Sequence, residues 1–582
     1  MKILLMAVNA KYIHSNLAVY SLRAYAQQGG ASADIAEYTI NQQTEEILMD
    51  VYKRRPDVLC ISCYIWNISQ VEELIREIPK ILPEVQIWLG GPEVSYNARD
   101  VLEKYPQTAG VMQGEGEETF LELTGVWRQR KGCVLSEIRG ITYRRQDGVI
   151  IENPPRPVMD LSKVPFVYEQ IEDFENRIIY YESSRGCPFA CSYCLSSVDK
   201  CLRFRDLELV KQELQFFIDH EVPQVKFVDR TFNCRREHAM AIWSYIKEHD
   251  RGITNFHFEV AADLLREEEI SLIRSMRAGL IQLEIGVQSA NENTIREIRR
   301  VMNLERVEAV VSRIRENRNV HQHLDLIAGL PWEDYESFAR SFNRVYAMEP
   351  DQLQLGFLKV LKGSLMHEKA GEYGLICQER PPYEVLSTNW LSYGDVIRLK
   401  GVEEMVEVYY NSGQFRYTMF HLQEEFSSPF AMYEALAAYY EEHGLFRVKH
   451  SRIARYEILN RFIVSVLGGQ INGEKMTGGD AGTRDPQKKA EAYREWLTLD
   501  LYLRDNVKNR PGFLGESQVD PDEAADFYKQ EEAGHRYLPG YRGYDRRQMR
   551  KMTHLERIGG ALLLFDYLER DPLTGDARIC RI

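Results

Sequence analysis

Apolar and polar positions change rhythm three times along the chain. From residue 1 to about 130, short apolar runs alternate with amphipathic stretches such as "EELIREIPKIL". The runs are "KILLMAV" (2–8), "ADIAEYT" (33–39), "DVLCISC" (57–63), "VQIWLG" (85–90) and "AGVMQ" (109–113). Strands that alternate with helices predict a parallel, doubly wound sheet. In such a sheet, ligands bind in the crevice formed by the loops beyond the strand C-termini. Those loops are "NAKYIHSN", "SCYIWN", "GGPEVS" and "GEGEET". Next, "GITYRRQDGVIIEN" predicts a hairpin turning at Asp147-Gly148, and the prolines of "NPPRPVMDLSKVP" mark a connector.

A second βα series occupies 177 to about 360. Its six strands are "RIIYYES" (177–183), "QVKFVD" (224–229), "NFHFEV" (255–260), "IQLEIG" (281–286), "HLDLIAG" (323–329) and "LQLGFLK" (353–359). Six βα units predict a partial, open barrel with its site at the strand C-terminal ends. After about 370, tyrosine-rich helical patterns take over, broken by the polar run "GGQINGEKMTGGDAGTRDP" (468–486). The predicted organisation is a Rossmann-like domain over 1–135, a hairpin and connector over 136–176, a partial (β/α)6 barrel over 177–368, and a mainly helical C-terminal domain over 369–582.

Composition narrows the function. The chain has 582 residues, 44% hydrophobic and 27% charged, enough for several packed cores. A net charge of −14 makes general polyanion binding a minority reading. A locally basic, tyrosine-rich segment, "RYLPGYRGYDRRQMRKMTHLER", keeps nucleic acid open at the C-terminal end, against the plainer reading of a solvated face. No apolar stretch approaches the ~20 residues that span a bilayer, and "MKILLMAVNA" is too short an apolar run for a signal-peptide core. The expectation is a cytoplasmic protein without a membrane partner. In that compartment a cysteine cluster reads as metal-binding or catalytic.

The cluster is "ESSRGCPFACSYCLSS" (182–197), which places Cys187, Cys191 and Cys194 in a CxxxCxxC spacing directly after the first barrel strand. Four thiolates would close a coordination shell, whereas three leave one position open. Three thiolates on one tight loop suit a 4Fe-4S cube whose fourth iron remains free. Gly186 permits a sharp turn and Pro188 stiffens the next step. The alternative is structural zinc, with Cys201 as fourth ligand. Cys60 and Cys63 lie in an apolar strand and read as core thiols, while Cys201 and Cys234 follow the first two barrel strands and could face the cavity.

These residues resemble the radical S-adenosylmethionine superfamily, whose signature is CxxxCxxC with an aromatic residue, here Tyr193, before the last cysteine. The resemblance covers roughly 175 to 360. It implies that S-adenosylmethionine chelates the open iron and is cleaved to a 5'-deoxyadenosyl radical. It also implies cofactor contacts from Gln288 in "EIGVQS", Arg300 in "IRRVM", Glu259 in "FHFEVAAD" on the ribose hydroxyls, and Asp325 in "LDLIAGLP". An arginine suits a carboxylate. The plainer alternatives are strand-end packing for Glu259, Gln288 and Asp325, and a solvated helix charge for Arg300. The family's glycine-rich motif after the second strand is replaced by "FVDRTFN".

"LGGPEVS" and "GEGEETF" resemble the cobalamin-binding domain fused ahead of many radical enzymes, over roughly residues 1 to 130. The resemblance implies corrin contacts from Ser62, Gly90, Gly91, Pro92, Gly114, Glu115 and Gly116. The DxHxxG motif of histidine-ligated cobalamin proteins is missing. His14 does not fit its spacing and reads as a surface or capping residue. The alternative is a Rossmann-like domain that has lost its ligand. The arrangement as a whole resembles cobalamin-dependent radical proteins with an uncharacterised C-terminal extension. It implies methylation of an unactivated carbon in an unidentified small or macromolecular substrate, with electrons from a flavodoxin- or ferredoxin-type donor. Alternatives are a radical rearrangement or cyclisation, an RNA-modifying methylthiotransferase-like enzyme, and a non-enzymatic cobalamin or redox sensor.

Overall fold

A computed structural model of the chain describes residues 1–130, 132–469 and 486–582. The predicted polar interruption at 468–486 lies, from 470 to 485, outside the described residues.

The five predicted strands of the first region form β1 (Ile3–Asn9), β2 (Asp34–Thr39), β3 (Val58–Ser62), β4 (Gln86–Gly90) and β5 (Thr108–Met112). They pair in parallel in the order β2-β1-β3-β4-β5, and the predicted hairpin, β6 (Ile141–Arg144) and β7 (Ile150–Glu152), continues the same sheet antiparallel. The chain direction across the sheet reverses between β1 and β3, so the crevice opens there. Both faces are buried. Leu4, Met6, Val8, Leu59, Ile61, Ile87 and Leu89 pack on one side. Ile3, Leu5, Ala7, Val58, Cys60 and Trp88 pack on the other. Apolar residues on both faces explain the continuous runs read from the sequence.

The second series forms a sheet of six parallel strands in chain order. They are β8 (Ile179–Tyr181), β11 (Gln224–Phe227), β12 (Asn255–Glu259), β13 (Ile281–Gln288), β14 (His321–Ala328) and β15 (Gln352–Phe357). Between β8 and β11 lie two short paired strands, β9 (Ser184–Arg185) and β10 (Arg203–Phe204), which bracket the cysteine loop. The sheet does not close, as expected for a partial barrel. Its outward residues, among them Phe227, Phe258, Leu283, Ile285, Leu326 and Leu355, are buried beneath the helices. Its inward residues are mostly polar. Lys226 pairs in register with Tyr180 and His257, and Glu284 pairs with Glu259 and His323.

The C-terminal region is mainly helical, and its helices Tyr393–Val406, Pro429–Glu442 and Arg452–Leu467 share one apolar core with the outside of the barrel. It also contains strands that the patterning missed. The two-residue β16 (Ile376–Cys377) pairs with β17 (Val385–Ser387), and β18 (Thr553–Ile558), β19 (Ala561–Arg570) and β20 (Ala577–Arg581) form an antiparallel sheet. Tyr541 of the basic tail is buried in a small core under that sheet. Among the described residues no helix is long and apolar enough to cross a membrane.

Candidate functional site

The cysteine loop leaves β8 over a buried carboxylate. Asp229, in the "FVDRTFN" segment, accepts the Ser183 backbone N–H at 3.0 Å, the Ser183 hydroxyl at 2.7 Å and the Ser184 hydroxyl at 2.5 Å. Burial pushes its carboxyl up to about 7 against those three bonds. Gly186 then turns the chain with φ +92°, and a Cβ there would stand 2.7 Å from the Cys201 carbonyl oxygen. Only glycine fits that close, left-handed step. Further along, Ser192 donates its N–H to Ile298 O at 2.9 Å, and its carbonyl accepts the Met366 N–H at 2.8 Å.

The loop so held turns Cys187, Cys191, Tyr193 and Cys194 toward a cavity of about 220 Å³. Cys187 and Cys191 are buried and Cys194 is half-buried. Among the described residues no three His, Cys, Asp or Glu side chains converge as a single metal ion requires. Neither Cys201, which is exposed, nor Cys234 lines the cavity, so the zinc alternative lacks its fourth ligand. A cube needs each thiolate on a different iron, so its ligands need not meet at one point. Burial pushes the Cys191 thiol up, against the opposing influence of Arg300.

Tyr193, Glu259, Gln288, Arg300 and Asp325 all line this same cavity. Arg300 donates to the Gly286 carbonyl, reaches the Tyr193 hydroxyl at 3.4 Å, and lies 3.9 Å from Cys191 Sγ. Gln288 ends β13 beyond a bulge at Gly286 and has φ +74°. A non-glycine residue held there is strained, and strain of this kind clusters at ligand sites. Gln288 Oε1 and Arg300 Nε are buried without a hydrogen-bond partner, which costs free energy until a ligand supplies one. Burial raises Glu259 to about 7, with Arg230 Nη1 3.8 Å away opposing it. These groups fit a ligand with carboxylate, amine and hydroxyl functions.

Below this rim the barrel floor is polar as well. Glu284 Oε2 lies 3.0 Å from His257 Nε2 and 3.3 Å from Lys226 Nζ, and His323 Nε2 lies 3.0 Å from Asp325 Oδ1. Burial disfavours ionised Glu284, but the His257 hydrogen bond and the Lys226 charge hold its carboxyl down to about 2. The sequence reading missed Lys226, Asp229, Arg230, His257, Glu284 and His323. For Lys226, His257, Glu284 and His323 the signal was the polar residue at every second position of otherwise apolar strands, whereas Asp229 and Arg230 lie in the loop after β11 and carry no such signal.

The first sheet presents its strand C-termini to this barrel. Ser62 pairs in register with Gly90. Gly91 has φ +110° and a Cβ there would stand 2.5 Å from Cys63 O, so the loop backbones lie against each other and Pro92 starts the short helix Pro92–Ser95. Gly114 follows β5, and Gly116 caps the helix Glu117–Trp127. The Ser62 hydroxyl accepts from Asn16 at 3.3 Å. Glu115 faces the barrel. Its carboxylate pairs with Arg185 at 2.8 Å and Arg203 at 2.6 Å, while Glu117 pairs with Arg185 at 2.8 Å. His14, expected as a surface or capping residue, is half-buried, and its Nδ1 lies 2.6 Å from the Tyr180 hydroxyl on the first barrel strand. Burial, with Lys11 and Lys226, holds its ring below the usual histidine range.

A half-barrel with three thiols at its mouth, faced by the crevice of a doubly wound sheet, is the arrangement that the radical S-adenosylmethionine and cobalamin-domain resemblances imply. Comparison with known families agrees over most of the chain. Residues 3–124 match the B12 binding domain, 181–345 the Radical SAM superfamily, and 371–569 a protein of unknown function, DUF4080. The chain therefore combines a B12-binding domain and a Radical SAM domain with a C-terminal DUF4080 region.

The chain is similar to 2-(S-pantetheinyl)-carbapenam-3-carboxylate methyltransferase of Streptantibioticus cattleyicolor, at 23% identity over 66% of this chain and 61% of that protein. It is also similar to the cobalamin-dependent radical SAM methyltransferase TokK of Streptomyces tokunonensis, at 24% identity over 72% of this chain and 67% of that protein. The chain thus spans about three-fifths to two-thirds of these relatives' lengths. Its fold is shared with the cobalamin-dependent S-adenosylmethionine radical enzyme OxsB, solved with aqua-cobalamin bound. That match has TM-score 0.59 and 14% identity, covering 86% of this chain and 79% of that one.

Proposed function

We propose that the protein is a cobalamin-dependent radical S-adenosylmethionine enzyme that methylates an unactivated carbon of a small molecule. The observation that carries this reading is the convergence of Cys187, Cys191, Cys194, Glu259, Gln288, Arg300 and Asp325 on one cavity. When bound, a 4Fe-4S cluster supplies the electron that cleaves S-adenosylmethionine, and a corrin carries the methyl group. The chain's own residues bind and orient. The three thiols hold the cluster. Arg300 and the unpartnered Gln288 Oε1 take the carboxylate and amine of the methionyl group, Arg300 through charge-assisted bonds. Glu259 accepts the ribose hydroxyls, and Asp325 closes the far side. Ser62, Gly90, Gly91, Pro92, Gly114 and the Gly116 turn form the corrin crevice, while Glu115 fixes that crevice to the barrel. Enclosure between two domains orients the reacting carbon and excludes water.

The polar barrel floor supports an acceptor with hydrogen-bonding groups, and the burial of Tyr541 removes one stacking residue from the nucleic-acid alternative. A flavodoxin- or ferredoxin-type donor supplies electrons, and reduced thiols suit a cytoplasmic protein.

The test is anaerobic purification with iron, sulfide and corrin analysis, followed by product analysis with S-adenosylmethionine and a strong reductant. One cluster and one corrin per chain are expected, together with 5'-deoxyadenosine and S-adenosylhomocysteine. Cys187→Ala, Cys191→Ala and Cys194→Ala should each abolish S-adenosylmethionine cleavage. Zinc in the wild-type protein, or a cluster that survives all three substitutions, would overturn the reading. 5'-Deoxyadenosine without methyl transfer in the presence of substrate would redirect it to a rearrangement or cyclisation.

A further inference from the structure

The chain that leads into the region of unknown function touches both other domains. Chain 358–385 doubles back on the open edge of the barrel. Val360 N–H donates to Tyr383 O at 3.0 Å and Val385 N–H donates to Leu358 O at 2.9 Å, with an antiparallel bridge between Lys359 and Glu384. This isolated antiparallel bridge lies just past the end of β15, the edge strand of the six-stranded sheet. Val385 also packs on the turn after β14, where a Cβ on Gly329 would stand 2.6 Å from its Cγ1. The same stretch reaches the cysteine loop through the Met366 N–H on Ser192 O. It reaches the Arg300 turn through the Tyr373 hydroxyl, which donates to Glu297.

The fourth anchor enters the first domain. The Tyr383 hydroxyl donates to Glu93 Oε2 at 2.8 Å, across 290 residues of sequence. Both side chains are buried, Tyr383 at 8% exposure and Glu93 at 6%. Glu93 is the residue after Gly90-Gly91-Pro92, and its N–H donates to Cys63 O at 3.3 Å. Nearby, Gly363 lies flat against the Tyr96 ring at the end of the same loop, where a Cβ would stand 2.4 Å from it. Burial raises the Glu93 carboxyl, and the Tyr383 bond opposes that rise. A buried carboxyl left without its donor bears a desolvation cost, so the loop is held where Tyr383 is.

We propose that chain 358–385, which leads into the DUF4080 region, is a brace between the two cofactor domains, in which Tyr383 is a positioning residue that sets the Gly90–Glu93 loop for a corrin. The inference rests on the cobalamin reading above. It gives this stretch a task in the cofactor site and separates that task from substrate recognition.

The test uses the full-length protein, hydroxocobalamin as probe, and two readouts. These are corrin retained after desalting, read by absorbance across a titration, and iron and sulfide content. Tyr383→Phe should weaken corrin retention on the order of tenfold, the loss expected for one buried bond to a carboxylate, with iron and sulfide unchanged. Glu93→Gln should hold corrin like wild type, because its amide oxygen still accepts from Tyr383. Glu93→Leu should fall with Tyr383→Phe. Corrin retention by Tyr383→Phe equal to wild type would overturn the brace. So would parallel loss of corrin and iron in that variant, which would make Tyr383 a general folding residue. Wild-type protein that takes up no hydroxocobalamin would overturn the cobalamin reading itself, and the brace with it.

Discussion

The two parallel sheets of this protein are built from similar βα units but use their faces differently. In β1 all seven residues are buried, and in β3 all five are. In β13 buried and half-buried positions alternate over all eight. The first sheet is a wall between two layers of helices, so neither face can carry chemistry and its ligand crevice lies at the ends of the strands. The second sheet is covered on one face only. Its inner face is a trough of Lys226, His257, Glu284, His323 and Asp325 that continues the cysteine cavity. Strand periodicity alone thus tells which sheet keeps function on its rim and which carries it down the strands.

The largest test of that contrast is a charge placed on each sheet. Leu59→Asp, at a position fully buried in the first sheet, should cost several kcal/mol and unfold that domain in a denaturant titration. Gln282→Asp, on the inner face of the barrel, should cost under about 1 kcal/mol. Equal losses would break the comparison.

A smaller effect separates rim from solvent. Arg300→Ala should weaken S-adenosylmethionine binding roughly tenfold to a hundredfold, as expected for charge-assisted bonds, with iron content kept. Exposed Arg299→Ala should change nothing in the same equilibrium dialysis. Matching losses would return Arg300 to the solvated-charge reading.

The smallest effect is in pH. Burial holds Glu259 at about 7, so it gains a proton as pH falls through that value and loses acceptor capacity. S-adenosylmethionine affinity should drop severalfold between pH 8 and pH 6, about the span over which such a group titrates. Glu259→Gln should flatten that dependence while lowering affinity throughout. An unchanged profile in Glu259→Gln would assign the titration to another group.

Much of this was legible in the chain because the signals are local. Cys187, Cys191 and Cys194 sit on one loop, so spacing identified them. Glu259, Gln288 and Asp325 stand at or near strand ends, where a barrel requires its site. Asp229 was not legible as an anchor, because it acts on Ser183 and Ser184 from 46 and 45 residues away. The ion pairs of Glu115 were not legible either, because its carboxylate answers Arg185 from 70 residues away and Arg203 from 88. The sheet β18-β19-β20 escaped because its strands lie among basic and tyrosine-rich runs that imitate an exposed tail.

By itself, the amino-acid order determined which residues lie on the strands of the two parallel sheets and where three thiols stand together. Each of these follows from a period of two or from spacing within one loop. Only the tertiary structure decided that the crevice of the first sheet opens toward the barrel, that Tyr383 reaches Glu93, and that His14 meets Tyr180. Such meetings depend on how separately folded layers dock, and docking is set by the summed burial of many distant residues, which leaves no periodic trace in the chain.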